Sequence, residues 1–374
     1  MLSNTIIEFY TPYQPITFLY KVGVTIRNWL FDRKLLPSEQ FSIPVICVGN
    51  LTVGGTGKTP LVEYLIRLLD DKYRIAVLSR GYKRKTSGYV LADSTSAASD
   101  IGDEPCQIKF KFPQVIIAVD TNRRRAMRHL LSMPKDVRPQ VVLLDDGFQH
   151  RYIQPSFSIV ITAYDRLFFD DKLLPVGRLR EPVESIRRAD MVVVSKCPAV
   201  FPWPVIAEPI IEKVKNWIPL QSIFFTSIVY QPLESVFPQS SRSRKLENIK
   251  KNDDILLITG IANPTPLIIH IKAYSDKVSV ITFDDHHTFT KKDIQTIQTE
   301  LSKMKSKNPL IICTEKDAAR IRHNPLFPDE WKSQMYYLPI RNRFLLENDG
   351  KLFDRQIMQH ISSMINKFKD LKIQ

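Results

Sequence analysis

The chain has 374 residues, 44% hydrophobic and 25% charged, an ordinary globular composition with enough length for two buried cores. Its charge is not ordinary: 53 Lys and Arg against 39 Asp and Glu give +14, which favours an anionic partner such as nucleic acid, anionic lipid or a phosphorylated substrate. No run approaches the roughly 18 to 20 apolar residues of a transmembrane helix, no signal peptide is expected, and Cys47, Cys106, Cys197 and Cys313 are too scattered for a disulfide framework or a zinc site.

From residue 16 to 36, Phe18, Leu19, Val22, Ile26, Trp29 and Leu30 recur at helical spacing, with Lys21, Arg27, Arg33 and Lys34 on the other face. Such a basic amphipathic helix either lies in a bilayer interface or packs on its own domain, and the spacing leaves both open. The apolar run 43–48 reads as a buried strand. It enters Thr52-Val53-Gly54-Gly55-Thr56-Gly57-Lys58-Thr59, after which Leu61, Val62, Leu65, Leu68 and Leu69 mark a helix. Strand, glycine loop and helix are the context of a P-loop. Glycines let backbone N–H groups converge on phosphate, Lys58 reaches the β and γ phosphates, and the Thr59 hydroxyl is placed to ligate Mg²⁺. The usual pattern has glycine where this chain has Thr52.

Further β-runs follow at 74–78, 115–119, 141–144, 157–161 and 191–194, with helical stretches between several of them. This is the signature of a mostly parallel α/β sheet. Gly102-Asp103-Glu104-Pro105 reads, on its own, as a helix N-cap with an acidic first turn. Arg123-Arg124-Arg125 and Gly177-Arg178-Leu179-Arg180-Glu181-Pro182 are cationic clusters, suited either to a solvated face or to capturing a substrate phosphate. The strand at 141–144 ends in Asp145-Asp146-Gly147. About 90 residues after a P-loop, Asp145 is the Walker-B candidate on the metal side, with Asp146 as a neighbour that positions water.

Composition shifts between about 198 and 252, where prolines gather and a polar run occupies 240–245. A second α/β series follows: strands at 255–259, 278–283 and 310–314, and helices at 264–274 and 291–305. Helix is also expected at 356–368. Asp285-His286-His287 follows a strand, and a His beside an Asp can act as an oriented acid/base group. Thr314-Glu315-Lys316-Asp317 ends a strand where open α/β sheets commonly bind ligands. It is not the Asn-Lys-x-Asp order of a guanine-selective GTPase, which favours ATP. The expected division is an N-terminal helix at 1–36, a P-loop nucleotide-binding and substrate domain at 37–225, a smaller α/β domain at 226–350 and a C-terminal helix at 351–374.

Val48-Gly49-Asn50-Leu51, Ser79-Arg80-Gly81-Tyr82, Gly102-Asp103-Glu104-Pro105 and Asp145-Asp146-Gly147-Phe148-Gln149-His150 then stand in a recognisable order. They continue with Leu174-Pro175-Val176-Gly177-Arg178-Leu179-Arg180-Glu181-Pro182, Asp285-His286 and Thr314-Glu315-Lys316-Asp317. Together, over roughly residues 16 to 320, they resemble the tetraacyldisaccharide 4′-kinases of lipid A biosynthesis, a family that tolerates a non-glycine at position 52. The resemblance implies MgATP-dependent phosphorylation of the 4′-hydroxyl of a tetraacylated glucosamine disaccharide 1-phosphate, an anionic glycolipid. It implies a peripheral protein on the cytoplasmic face of the inner membrane, an N-terminal helix that aids attachment, and nucleotide held between two α/β domains that close. It further implies that Asp103 deprotonates the sugar hydroxyl with help from His286, against the plain helix-start reading of Asp103. Lys58, Asp145 and Asp146 join these as catalytic residues, residues 52–59 as the ATP cradle, and Thr59 with Asp145 as Mg²⁺ ligands. Arg123, Arg180, Glu181 and His150 are the substrate-binding candidates. No nucleic-acid partner is expected, and the chain is read as a monomer. The rival readings are a P-loop GTPase or metallochaperone-type ATPase that switches a partner, which the lack of Cys/His metal pairs disfavours, and a non-enzymatic membrane adaptor, which intact Lys58, Thr59 and Asp145 disfavour.

Overall fold

A computed structural model describes residues 13–370 apart from 199, 201, 202, 204, 241, 242 and 307. Residues 1–12 of the expected N-terminal segment, two positions of the polar run 240–245, and 371–374 of the expected C-terminal helix lie outside the described residues.

Helix α1 (Gln14–Asp32) comes first, and β1 (Val45–Gly49) and α2 (Lys58–Leu69) flank the glycine loop. Next are β2 (Ile75–Ser79), β3 (Val90–Leu91), α3 (Ala98–Ile101), α4 (Asp103–Lys111), β4 (Ile116–Val119), α5 (Arg123–Ser132) and β5 (Val141–Asp145). They are followed by β6 (Phe157–Ala163), β7 (Met191–Ser195), α6 (Ala207–Val214), β8 (Ile223–Tyr230), β9 (Glu234–Ser235) and β10 (Asp254–Thr259). The last series is α7 (Thr265–Lys272), β11 (Lys277–Thr282), α8 (Lys291–Ser302), β12 (Leu310–Thr314) and α9 (Glu315–Ile321). It closes with α10 (Asp329–Lys332), β13 (Met335–Leu338), β14 (Ile340–Phe344) and α11 (Glu347–Asp370). The expected strands and helices are all present within a few residues. The cationic triplet at 123–125 opens a helix, and the C-terminal helix starts earlier than its apolar pattern indicated.

The chain forms two compact units. One takes in the chain up to Lys58, Asp146–Ser227 and the chain from Phe344 onward; the other takes in Thr59–Asp145 and Ile228–Arg343. In the first unit β1, β6, β7 and β8 run parallel in that order. β1 and β7 are buried along their whole length, which is why they read as unbroken apolar runs rather than alternating ones.

In the second unit β5, β2 and β4 are parallel, with β3 antiparallel at the edge. This unit also carries the five-stranded sheet β11-β10-β12-β13-β9, parallel except for β9. Its two faces separate by the two-residue period of a strand. Leu256, Ile258, Ile311 and Cys313 share one core cluster, while Ile255, Leu257, Leu310 and Ile312 share the other. All four cysteines are buried free thiols. Among the described residues no helix is long and apolar enough to cross a membrane.

Within the second unit, Glu63 of α2, Lys111 of α4 and Glu315 of α9 meet in the interior. Lys111 Nζ bridges Glu63 Oε2 (2.6 Å) and the Glu315 carboxylate. Gln107 Nε2 donates to Glu63 Oε1 (2.9 Å), Arg67 reaches Glu63 (3.1 Å), and the Ile340 N–H donates to Glu315 Oε2 (3.1 Å). Burial pushes Glu315 up to about 7, the like charge of Glu63 adds to the rise, and Lys111 opposes it. The native state therefore holds a proton that the unfolded chain releases. Stability from this site is fully present below the ordinary glutamate range and is lost as pH rises through about 7. Thermal melts from about pH 5 to about pH 8 should show Glu315→Gln flattening the decline in Tm with pH. A Glu315→Gln variant whose Tm profile runs parallel to the parent's would show that this proton does not govern stability.

Candidate active site

The phosphate loop belongs to the first unit up to Lys58. Buried β1 delivers the chain to Gly49, where a Cβ would lie 2.5 Å from that of Phe148, so only glycine admits the approach of the Asp-Asp-Gly-Phe segment. Asn50 Nδ2 donates to Thr56 Oγ1 (3.1 Å) and pins the loop across its width. Thr52 is buried and pairs antiparallel with Leu179, flanked by Val53 N to Arg178 O (2.8 Å) and Arg180 N to Leu51 O (2.7 Å). Position 52 is thus a strand-like residue with no need of left-handed backbone. The left-handed positions are Gly54 (φ +107°) and Gly57 (φ +88°), where glycine is kept. Beyond β7, Ser195 Oγ donates to Thr56 O (2.6 Å) and Lys196 Nζ to Gly55 O (2.5 Å). Because a trans peptide points its N–H away from its C=O, tying back the Thr56 carbonyl turns the Gly57 amide the other way.

Lys58 and Arg180 share one counter-ion. Asp146 Oδ1 lies 3.5 Å from Lys58 Nζ, and Arg180 Nη1 donates to both Asp146 oxygens at 3.0 Å and to Gln149 Oε1 at 3.2 Å. Asp146 does this from a left-handed backbone (φ +49°), a strained conformation for a non-glycine. Glu181 is 1% exposed and paired with Arg188, with Arg27 3.9 Å away; burial pushes its carboxyl up and the nearby arginines oppose the rise. His150 sits partly buried with its ring beside Tyr152.

The same segment anchors α1. Tyr20 Oη donates to Arg180 O (2.9 Å), Arg27 Nη2 to Gln149 O (3.0 Å) and Arg151 Nη1 to Asn28 O (2.9 Å), while Phe31 is buried between the Arg27 and Arg151 guanidiniums. One edge of α1 packs on its own unit. Phe18, Leu19, Ile26 and Trp29, each at least half exposed, are left in the open.

The second unit holds the remaining candidates. Asp145 ends β5, buried, and Ser79 Oγ donates to its Oδ2 (3.3 Å). Thr59 is the second residue of α2, and Arg123 is buried at the first turn of α5. A hydroxyl and a carboxylate are hard oxygen donors that suit Mg²⁺, which is commonly held by one or two carboxylates together with substrate phosphates. Among the described residues no group of three or more His, Cys, Asp and Glu could hold a metal ion.

Asp103 is the first residue of α4 rather than its cap; Gly102 (φ +94°) takes the cap position, and Asp103 with Glu104 forms the acidic first turn. The Asp103 side chain reaches His286 Nδ1 at 2.7 Å. Burial pushes its carboxyl up, but hydrogen bonds from His286 and Arg320 outweigh it and hold Asp103 below the usual carboxylate range. An ionised carboxylate only accepts, so the His286 Nδ1 carries the proton of this bond. His286 is itself left-handed (φ +65°), and its ring meets the edge of Tyr82 at 5.4 Å. Glu104 pairs with Lys316 (2.8 Å), drawing the Thr-Glu-Lys-Asp segment onto the same helix turn.

Motif spacing missed Arg320, Ser79, Ser195 and Lys196. Arg320 lies 217 residues from Asp103 in the chain and has no local signal of that contact. Ser79 stands in the Ser-Arg-Gly-Tyr string but with no role marked, and Ser195 and Lys196, at and just past the end of β7, have no signature until the strands are aligned.

The family model described as tetraacyldisaccharide-1-P 4′-kinase, LpxK, matches residues 11–362. A protein of Parabacteroides distasonis named tetraacyldisaccharide 4′-kinase is 48% identical over 372 residues, covering 100% of both chains. Proteins of the same name from Bacteroides thetaiotaomicron (48% identical, 93% of this chain and 92% of that one) and Flavobacterium johnsoniae (46%, 93% and 96%) are similar. The crystal structure of Aquifex aeolicus LpxK, described as an "apo" form in complex with ATP, superposes with a TM-score of 0.70 at 24% identity, covering 93% of this chain and 98% of that one. It shares the fold.

If Thr52 is a pairing residue and Gly57 a conformational one, their substitutions diverge. Thr52→Gly should cost about 0.5–1 kcal/mol of stability and change ATP affinity by less than about threefold, well under the roughly 1.4 kcal/mol of a tenfold change. Gly57→Ala, strained and with its Cβ 3.3 Å from Ser195 Oγ, should weaken ATP binding by about tenfold or more. Calorimetric titration with ATP checks both, and tighter binding by Thr52→Gly would contradict the pairing role.

Proposed function

Since this chain belongs to the tetraacyldisaccharide-1-P 4′-kinase family, we propose that it transfers the γ-phosphate of ATP to the 4′-hydroxyl of a tetraacylated glucosamine disaccharide 1-phosphate. The observation that carries this reading is the ionised Asp103 carboxylate oriented by His286 at the start of α4. A nucleotide hydrolase needs only to place water, whereas transfer to a sugar asks for a fixed acceptor of the hydroxyl proton.

Each residue has a chemical role in that reaction. The amides of residues 54–58 and the Lys58 ammonium bind the phosphates. Arg180, released from Asp146 by a competing phosphate, neutralises charge on the transferred group. Thr59 and Asp145 would hold Mg²⁺, which supplies further charge neutralisation when bound. Asp103 accepts the proton, and His286 keeps the carboxylate oriented. Arg123, His150 and Glu181 serve indirectly in this reading. Glu181 and Arg123 are buried, so they shape the surrounding segments rather than meet the acceptor directly.

Incubation with γ-labelled ATP and tetraacyl disaccharide 1-phosphate should label the lipid, and Lys58→Ala should abolish the transfer. Asp103→Ala should lower kcat by about 10²- to 10⁴-fold while retaining ATP binding, with a milder loss for His286→Ala. Near-normal kcat in folded Asp103→Ala would remove the base assignment.

Attachment to an anionic membrane surface on its cytoplasmic side fits the +14 charge and the exposed apolar edge of α1. Phe18→Ser with Leu19→Ser and Trp29→Ser should therefore reduce sedimentation with anionic vesicles, and added salt should reduce what remains. Unchanged partitioning of that folded triple variant would assign the helix a purely intramolecular role.

A further inference from the structure

The Asp103 carboxylate is engaged on one oxygen far more heavily than a simple His–Asp pair requires. Oδ2 receives His286 Nδ1 (2.7 Å), Arg320 Nη2 (2.7 Å) and Arg320 Nε (2.9 Å). No hydrogen bond reaches Oδ1 among the described residues. An arginine serving only as a structural counter-ion usually spreads its fork over both carboxylate oxygens, one N–H to each. Here both N–H groups converge on the oxygen that His286 already uses.

Arg320 is held in that pose from behind. It is 8% exposed in its side chain, and its Nη1 donates to Oδ1 of Asp317 (3.1 Å), which is fully buried. Asp317 Oδ2 in turn accepts from Thr314 Oγ1 (2.6 Å) at the end of β12 and from the Gly260 amide (3.0 Å) just past β10. The pose of a side chain on α4 is thus referenced, through one arginine and one aspartate, to two central strands of the five-stranded sheet.

We infer that Arg320, aimed by Asp317, is a positioning residue for the phosphoryl transfer: together with His286 it saturates Oδ2 of Asp103 and reserves Oδ1 for the proton of the attacking hydroxyl. The inference rests on the reading of Asp103 as the base. In the step it serves, the sugar oxygen forms its bond to the γ-phosphorus as the bond from that phosphorus to the β,γ-bridging oxygen breaks. ADP leaves with the electron pair, and the hydroxyl proton passes to Asp103 Oδ1. A carboxylate that already accepts hydrogen bonds from Arg320 and His286 is too weak a base to ionise an alcohol beforehand. The proton therefore moves as the oxygen–phosphorus bond forms, consistent with a loose transition state.

The same contacts set the pH range. Burial alone would drive Asp103 towards its neutral form, and the Arg320 and His286 hydrogen bonds keep it ionised. Asp285 lies beside His286, while Lys316 and Asp317 lie beside Arg320 on α9. Glu104 and Cys106 share the Asp103 helix, and Tyr82 covers the His286 ring.

The test compares kcat and its pH dependence in the intact protein, using γ-labelled ATP and tetraacyl disaccharide 1-phosphate. In Arg320→Met the acid limb of the kcat profile should move to higher pH, and kcat at neutral pH should fall by about 10- to 100-fold with the KM for ATP unchanged. Arg320→Lys keeps the charge but not the fork, so it should restore most of the limb while leaving kcat low. If Arg320→Met does not fold, Arg320→Lys decides alone: an unchanged kcat there overturns the inference. In a folded Arg320→Met, an unmoved acid limb with kcat within about twofold of the parent overturns it as well. Asp103→Asn separates the two levels. A near-normal kcat in that variant removes the base and the inference with it, whereas a slow Asp103→Asn beside an unaffected Arg320→Met overturns only the role of Arg320.

Discussion

A protein that grips phosphate must keep several cations close together before any phosphate arrives, and their mutual repulsion has to be answered from within the chain. Asp146 gives that answer in the first unit, holding Lys58 at 3.5 Å and Arg180 at 3.0 Å. The pairs are partly exposed, so each contributes little to stability. Their value lies in orientation: the carboxylate stands where an anionic ligand would otherwise have to collect two mobile side chains. Restraining those side chains beforehand reduces the ordering cost of binding. The left-handed backbone at Asp146 fits this economy, since local strain persists only where the surroundings over-determine it.

The second unit applies the same principle with the signs reversed. Asp103 is the anion there, the proton acceptor of the proposed transfer, and His286 and Arg320 are the groups that fix its carboxylate. Beneath them the Glu63–Lys111–Glu315 cluster joins α2, α4 and α9, the helices that carry Thr59, Asp103 and Arg320. A buried ionic cluster of this kind is weak evidence for net stability, because desolvation offsets much of the attraction. Breaking one partner is nonetheless costly, so the three helices resist sliding past one another. Rigidity in these helices is worth having when a displacement of about 1 Å at the reacting atoms can cost a hundredfold in rate.

Much of this was legible in the residues. Every run expected as a strand is one, and β1, β2, β5 and β7 were plainest, because burial on both faces makes them unbroken apolar runs with no alternation to misread. The glycine loop and the Asp-Asp-Gly strand end were visible for a related reason: backbone requirements restrict residue choice to glycine, and a strand terminus fixes where its last side chain sits. The region from about 198 to 252 was opaque. β8 lies within it, its apolar residues broken in the middle by Thr226 and Ser227, with β9 only two residues long, so neither shows a clean period. Arg320 was hidden by distance, 217 residues from Asp103 in the chain, and an arginine on a short helix carries no local mark of what it touches. The N-terminal helix was half legible. Its apolar spacing was plain, but only the contacts of Tyr20, Arg27 and Phe31 show which edge turns inward.

The substitution at position 52 shows how motif and mechanism differ. Consensus patterns record residue types, while the physical demand is for particular backbone dihedrals and clearances. Glycine is required here at 54 and 57 by left-handed backbone and at 49 by close approach, and it is absent at 52, where the chain is paired and extended. Pairing position 52 with Leu179 also couples the loop to the segment that carries Arg180. A threonine at that site strengthens an extended pairing, because a β-branched side chain loses little by adopting strand geometry. The apparent defect in the motif is thus the point at which the phosphate loop is stitched to the segment that delivers its second cation, and a glycine there would loosen that pairing.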